Sequence, residues 1–419
     1  MKRGAPTRHR IEAICEVLDH PEKAIPAIHI TGTNGKTSTA RVATALLSGL
    51  GLNVGTYTSP HLETIRERVA WNGDPISEDA FGGVYDHIRP YVDVIEARLG
   101  EQLTYFELLT AMYFLWAAEA PVDVSVIEVG LGGLWDATNV VDAGVSVITN
   151  IGHDHTEILG NDKRDIAREK AGIIKPGGVT VTAERHPDIL EIFEETANSN
   201  DATLLRIDRD FGVIENKIAV GGRYLSVTTT GAEYEGLFLP LHGSHQGVNA
   251  ATALQAVVSF LPAQQLSEEV VSSGLATVSA PGRLETFRVA NIEAPVVIDV
   301  AHNPEGASAL VTALLETFAF DRAIIVIGVL NDKDPLGIFT ELTRIPAHLL
   351  LTQAKSGRAM PIDELSSVAA TMGLDNETVP DVADAVDRAL AMARTGDLVC
   401  IAGSHYVAGE ARDHLETLI

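Results

Sequence analysis

The residues with the clearest chemical promise in this chain stand in "HITGTNGKTST", His29 to Thr39. Gly-Lys-Thr between a strand and a helix is what binding a polyphosphate asks for. Backbone N–H groups of the turn and the positive end of the helix cradle the oxygens. The Lys36 ammonium meets the terminal phosphates, and the Thr37 hydroxyl is offered to Mg²⁺. Thr33, Asn34, Gly35 and Ser38 complete the candidate nucleotide loop. The generic P-loop signature also has a Gly five positions before Gly35, where this sequence carries the apolar Ile30. A tight strand-to-helix turn that binds nothing is the competing reading.

Other reactive side chains are less decisive on spacing alone. Glu128 closes the strand-like run "VDVSVIEVG". A carboxylate at the carboxyl end of a parallel strand beside a P-loop suits Mg²⁺, and a polar strand end facing water suits it equally. His153 and His155, in "GHDHTEILG", lack the spacing of the common zinc signatures, and a hydrogen-bonded loop histidine is the plain reading. Lys170, in "DIAREKAGI", has acids as neighbours and reads as a solvated helix residue. "TSPH" around Ser59 reads as a turn.

Alternating strand and helix patterns must position these groups, and they predict an α/β protein. "AIPAIHITG", "NVGTYTS", "VDVSVIEVG" and "GVSVITNIG" read as strands. "KTSTARVATALLSGLG", capped by Gly51, "TYFELLTAMYFLWAAEA" and "NDKRDIAREKAGII" read as helices. Between Val179 and Pro240 short strands and hairpins are expected to replace βαβ units. "SHQGVNAATALQAVVSFL" restores a helix, and "SAPGRLETF" marks a break followed by a strand. After it, "APVVIDVAHN", "RAIIVIGVL", "AHLLLTQA" and "GDLVCIAGS" are regular strands of a second unit. The expectation is an ATP-binding α/β domain over 1–282 and a smaller Rossmann-like domain over 283–419.

Composition narrows the function classes. A chain of 419 residues with 46% hydrophobic and 21% charged residues is an ordinary globular protein. No run approaches the ~20 apolar residues of a membrane helix, and no signal-peptide core follows the N-terminus. A net charge of −26 argues against a nucleic-acid surface. It also means that an anionic substrate needs cations placed locally. Cys15 and Cys400 have no metal or redox spacing, which fits a cytoplasmic protein.

"TGTNGKT" resembles the P-loop of the Mur ligase superfamily, the ATP-dependent amide-forming enzymes. Within it the chain is similar to the dihydrofolate synthase/folylpolyglutamate synthase family. The similarity rests on "TSPHLETIRERVAWNG", "FELLTAMYF", "EVGLGG", "DATNV", "DHTEILG", "IAREKAGIIKPG", "HQGVNAA", "APGRLE", "DVAHNPEG", "GVLNDKD" and "GSHYVAGE", in order along nearly the whole chain. It implies a P-loop Mur-ligase-type ATPase domain followed by a Rossmann-like glutamate ligase domain. It implies Lys36, His155 and a carbamylated Lys170 as catalytic groups. It implies Thr37, Ser59, Glu128 and His155 as Mg²⁺ ligands. Asn249, Arg283, Asp299 and His302 are implied to join the loop in binding ATP, and Pro60, His61 and Asp154 to stand beside substrate. The implied cofactors are ATP, two Mg²⁺ ions and a monovalent cation.

The expected reaction joins L-glutamate to a dihydropteroate or reduced-folate carboxylate through an acyl phosphate, releasing ADP and phosphate. The partners are then small molecules only, with no nucleic acid or membrane, and the chain is expected to be a monomer. "PTRHRIEAI", near the N-terminus, is a candidate pterin contact. The alternatives are a muramyl-peptide ligase, for whose nucleotide-sugar domain no space precedes Gly32, and a regulatory P-loop NTPase. At one place the sequence departs from the family: "GGLWDATN" carries Leu134 where the family usually has Arg. Either another base compensates, or acceptance of longer glutamate tails differs. His405 is read as neutral variation.

Overall fold

A computed structural model describes residues 7–261 and 266–419. Its first sheet contains β1 (Ala27–Thr31), β2 (Val54–Tyr57), β3 (Val69–Trp71), β4 (Asp74–Pro75), β5 (Val124–Glu128), β6 (Val145–Ile148), β7 (Val179–Thr182) and β8 (Thr203–Arg206). The order is β4-β3-β2-β5-β1-β6-β7-β8. Neighbours from β2 to β8 are parallel, and β3 joins β2 and β4 through antiparallel pairs. β1, β2, β5 and β6 are buried along their full length, as parallel strands covered on both faces must be.

The associated helices are α1 (His9–Val17), α2 (Lys36–Gly49), α3 (Glu78–Leu99), α4 (Tyr105–Glu119), α5 (Thr156–Leu159), α6 (Lys163–Ala171), α7 (Pro187–Ser199), α8 (Ser244–Phe260) and α9 (Glu268–Ala276). α2, α8 and α9 pack with Ile28 and Ile30 of β1 in one core. α1, α3 and α4 pack with Ala27 and Tyr57 in another. α4 is apolar on nearly every side and is accordingly buried from Leu109 to Ala117.

The stretch from Val179 departs from the pattern expected of it. βαβ construction does not stop at Val179: β7, α7 and β8 add another parallel unit to the sheet. The hairpins begin only at β9 (Gly212–Ala219), which with β10 (Gly222–Thr228) and β11 (Glu233–Leu239) forms a small antiparallel sheet. α7 has the apolar spacing of an amphipathic helix, burying Ile189, Ile192, Phe193 and Ala197.

The chain leaves the first core at Val278 and Ala280 and enters another at Leu284. Gly282 between them has a positive φ of 68°, a turn that favours glycine. The second body is a sheet of β12 (Glu285–Phe287), β13 (Val296–Ile298), β14 (Arg322–Ile327), β15 (Ala347–Leu351), β16 (Asn376–Thr378) and β17 (Asp397–Ala402). Its order is β12-β13-β17-β14-β15-β16, all parallel but for β12. α10 (Pro304–Thr317), α11 (Pro335–Leu342), α12 (Ile362–Thr371), α13 (Val382–Met392) and α14 (His405–Glu416) cover it. Cys15 and Cys400 are buried free thiols whose pKa burial pushes up. Among the described residues, no helix is long and apolar enough to cross a membrane.

Candidate active site

β1 lies between β5 and β6, so the loops leaving the carboxyl ends of all three strands meet in one crevice, where open α/β sheets bind ligands. The first is the glycine loop. Ile30 is fully buried in the β1 core, so the position of the missing early glycine is still strand. The chain turns at Gly32 instead, where a Cβ would lie 1.7 Å from Thr149 Oγ1. The loop is stitched to the segment after β6. Asn34 N donates to Asn150 Oδ1 at 3.0 Å, Thr149 Oγ1 to the Asn34 carbonyl at 2.7 Å, and Gly152 N to Thr33 Oγ1 at 2.8 Å. Gly35 turns with φ 83° into α2, and a Cβ there would meet Asn249 Oδ1 at 2.5 Å. Asn249, on α8, therefore backs the loop directly; its amide donates to Gln246 Oε1 at 3.0 Å. Ser38 is buried in the first turn of α2.

Lys36 Nζ bends back onto the carbonyls of Gly32 (3.0 Å) and Thr33 (3.1 Å). Burial lowers its pKa, opposed by the charges of Glu128 and Asp154. Thr37 Oγ1 donates to both oxygens of Glu128, at 3.0 and 3.1 Å. Ser59 N donates to Glu128 Oε2 at 3.3 Å, in a loop whose Ser59–Pro60 bond is cis. Arg283 crosses from the linker and donates through Nη2 to Thr37 Oγ1 at 3.3 Å. It is a half-buried residue, and burial lowers its pKa against the charges of Asp299 and Glu128. Glu128 is buried; burial raises its pKa, while Lys36 and Arg283 pull it down. A hydroxyl, a buried carboxylate and two cations thus face one another at the start of α2.

Lys170 overturns its local pattern. It is buried beneath the loop, donating from Nζ to the Gly32 carbonyl at 2.9 Å. Burial, helped by the charge of Lys36, lowers its pKa to about 7. Its neighbour Glu169 accepts from the amides of Gly133 and Trp135, both at 3.2 Å. Asn139 donates to the carbonyls of Leu134 and Gly172. These bonds hold the loop after β5, on which the half-exposed Leu134 and Trp135 stand.

Asp154 is the meeting point of the two bodies. Lys333 Nζ donates to its Oδ1, His302 Nε2 lies 3.3 Å from its Oδ2, and Asn303 Nδ2 donates to Oδ2 at 3.4 Å. Asn303 also donates to Asn34 Oδ1 at 3.2 Å, which ties the second body to the glycine loop. Burial works against the Asp154 carboxylate, but the bond and charge of His302 and the charges of His155 and Lys333 outweigh it. The pKa is held well below the usual carboxylate range. His155 adopts φ 53°, with Nε2 3.8 Å from Asp154 Oδ2 and Nδ1 3.9 Å from Asp332 Oδ2. Burial lowers its pKa to about 4, so the ring is neutral at physiological pH, the form that ligates metal. Asp299 spends its oxygens on the amides of Leu284 (2.9 Å) and Ala301 (2.8 Å), and so shapes the linker turn.

These groups line a cavity of about 530 Å³. Its walls bring together Thr33 to Thr37, Ser59, Pro60, Glu128, Asp154, His155, Arg283 and His302. His61 is turned toward Arg68, accepting from its Nε at 2.9 Å. Several lining residues escaped the sequence reading: Arg68, Phe106, Lys333, Arg358 and Tyr406. His405, read as neutral variation, also lines the cavity, its ring centroid 5.2 Å from that of His302. Lys333 and His405 stood in "GVLNDKD" and "GSHYVAGE", stretches that carried similarity without an assigned role. From "PTRHRIEAI", Pro6 lies outside the described residues. Arg8 and Arg10 bond the Asn139 carbonyl and the α4 capping residue Glu107. Among the described residues, no three His, Cys, Asp or Glu side chains converge as a ready-made metal cage.

Comparison with known proteins gives a concordant picture. Residues 30–257 match the Mur ligase middle domain, and residues 282–405 match the Mur ligase, glutamate ligase domain. A dihydrofolate synthase/folylpolyglutamate synthase of Mycobacterium tuberculosis is 41% identical, over 97% of this chain and 89% of its own. A solved M. tuberculosis folylpolyglutamate synthase, complexed with ADP and AMPPCP, superposes with a TM-score of 0.94 at 40% identity, covering 98% of this chain and 95% of the other. An Escherichia coli structure in complex with DHPP and ADP superposes with a TM-score of 0.88 at 30% identity, covering 99% and 94%.

Proposed function

The chain belongs to the dihydrofolate synthase/folylpolyglutamate synthase family of Mur ligases, and from that premise we propose how its cleft works. The enzyme is an ATP-dependent ligase that adds L-glutamate to the carboxylate of dihydropteroate or a reduced folate. In the proposed course, a carboxylate oxygen attacks the γ-phosphorus of ATP and ADP leaves. The glutamate amine then attacks the acyl phosphate, loses a proton, and expels inorganic phosphate.

The observation that carries the assignment of roles is the bonded group Arg283–Thr37–Glu128 beside Lys36. Lys36 exchanges its loop carbonyls for the terminal phosphates, and Arg283, reaching in from the linker, adds a second cation. Preorganised cations stabilise the charge that develops on phosphoryl transfer. Asn249, His302 and Asp299 are proposed to flank the nucleotide, Asp299 through Arg283.

A divalent cation fits this pole. Mg²⁺ commonly takes one or two carboxylates and draws its other ligands from phosphates and water. Thr37, Ser59 and Glu128 on one side and neutral His155 on the other are the proposed holders of two ions, with a monovalent cation nearby. When bound, such ions neutralise phosphate charge. Lys170, with a pKa near 7, is available in the neutral form that reacts with carbon dioxide, which supports its assignment as the carbamylated group. Arg68, Lys333 and Arg358 are proposed to meet the substrate carboxylates and to compensate for the absent Arg at Leu134. Division at 282/283, a monomer and a cytoplasmic site complete the proposal.

The test is ADP release with dihydropteroate or tetrahydrofolate, each with and without L-glutamate. Release that needs glutamate, and that falls by about 100-fold or more in Lys36→Ala or on chelating divalent ions, is expected. Release independent of glutamate with every acceptor would instead make the protein a nucleotide hydrolase.

A further inference from the structure

The loop that carries Ser59 and the linker that carries Arg283 approach the phosphate pole from opposite sides, and one side chain touches the supports of both. Arg412, on α14 of the second body, donates through Nη1 to Glu63 of the first body. Through Nε it donates to Glu285 Oε1 (3.1 Å) and Oε2 (3.2 Å). Glu285 Oε2 in turn accepts from the Gly282 amide at 2.8 Å, one residue before Arg283. On the other branch, Glu63 follows Ser59 in a loop whose turn is fixed by Glu67. That carboxylate accepts from the amides of Leu62 (2.8 Å), Glu63 (2.9 Å) and Thr64 (2.7 Å). The same loop is wedged against α14: a Cβ on Gly409 would lie 2.2 Å from the Leu62 carbonyl, and Leu62 packs into the second body's core. Arg412 is half-buried, with its side chain 19% exposed: its bonds to Glu285 are part-buried, and its bond to Glu63 lies at the surface, where charge-assisted geometry rather than burial gives it strength.

From this connection we infer that Arg412 is a positioning residue for ligation, holding the Ser59 loop through Glu63 and the Arg283 linker through Glu285. A fork of guanidinium donors suits this task, because one planar group holds Glu63 and Glu285 in fixed directions, while its Nη1 is also steadied by Glu416 of the same helix at 2.8 Å. Glu63 belongs to the first body and Glu285 to the second, so both bonds form together only when the bodies sit as described here. Arg412 thereby ties the relative position of the two bodies to the placement of Arg283 against Thr37 and of Ser59 against Glu128. The inference rests on the nucleotide role proposed above for that pole.

The experiment compares Arg412→Gln, Arg412→Lys, Glu63→Gln and the double variant Arg412→Gln/Glu63→Gln with the parent. It records kcat, the KM for ATP, the KM for the pteroate or folate acceptor, and the thermal midpoint. Misplacing groups at a phosphoryl-transfer site is costly, so Arg412→Gln is expected to lower kcat/KM for ATP by about 10- to 100-fold. The thermal midpoint should fall by about a few degrees, because Glu63, Glu285 and Glu416 lose their shared cation, but the chain should stay folded at the assay temperature, and the acceptor KM should change less than that for ATP. Glu63→Gln should move the same constant in the same direction, and the double variant should be no worse than Arg412→Gln alone, because the two act through one bond. Arg412→Lys, which keeps the charge but reaches one carboxylate at a time, should recover part of the loss. Unchanged constants in Arg412→Gln, losses that multiply in the double variant, or a loss that only follows unfolding would each overturn the inference. Lys36→Ala, run in parallel, separates the two ideas: retained turnover there would remove the nucleotide reading itself, whatever Arg412 does.

Discussion

Lys170 occupies a place where an ammonium is poorly accommodated, buried under the glycine loop with Lys36 nearby. Its folded pKa of about 7 lies below the ordinary value of 10.5. Between those values the unfolded chain binds a proton that the folded chain has lost. Stability therefore rises with pH across that window, and below about 7 the full cost of the buried charge is felt. With carbon dioxide excluded, Lys170→Met is expected to be more stable than the parent at about pH 6 and to lose that advantage by about pH 10, as followed by chemical denaturation. It should also be inactive in ligation. A high-resolution map of a metal-bound nucleotide complex with a bare Lys170 amine would remove its carbamylated role. Legibility at this scale depended on how local the chemistry was. Lys36 and Thr37 could be read from adjacent letters. Lys170 could not, because its setting is made by Gly32, 138 positions away. Glu128 was ambiguous for the same reason: its strand position was legible, but the Thr37, Ser59 and Arg283 around it were not.

At the scale of elements, the strand–turn–helix unit of β1 and α2 is specified by two glycines that the fold cannot exchange freely. Gly35→Ala places a Cβ 2.5 Å from Asn249 Oδ1 in a backbone with φ 83°. The expected loss is about 1–3 kcal/mol of stability, together with weakened ATP binding, measurable by denaturation and by nucleotide titration. Adding Asn249→Ala relieves the contact but not the backbone strain, so stability should recover in part and ATP binding should not. Strands β1, β2, β5, β6, β13, β14, β15 and β17 were legible because each is a short, mostly apolar run, whereas β3 and the exposed β4 were not. α7 was missed because its polar face, rich in Glu and Asn, sat next to hairpin-like letters and hid the apolar spacing of Ile189, Ile192 and Phe193. β12 and β16 are three residues each, and β16 was too short for any period to show.

The whole molecule carries a net charge of −26, so its exposed carboxylates repel one another on average. Salt screens that repulsion, since the Debye length falls from about 10 Å at 0.1 M to about 3 Å at 1 M. The thermal midpoint in the presence of sodium chloride should therefore climb across that range. A falling midpoint would mean that attractive pairs such as Arg223–Glu316, at 3.3 Å between the bodies, outweigh the mean field. The sequence pattern is read as two units with an arginine at their junction. It did not announce the seam, because Lys333–Asp154, Asn303–Asn34 and Arg412–Glu63 join letters that only folding brings together. The two sealed cysteines bear on how that seam can be watched. Cys15 and Cys400 are buried and hard to ionise, and a thiol must be both reachable and deprotonated to attack an alkylating dye. The native chain is thus blank to thiol labelling. One new cysteine on each body, at exposed positions such as Tyr91 of α3 and Leu336 of α11, would turn the enzyme into its own fluorescent ruler.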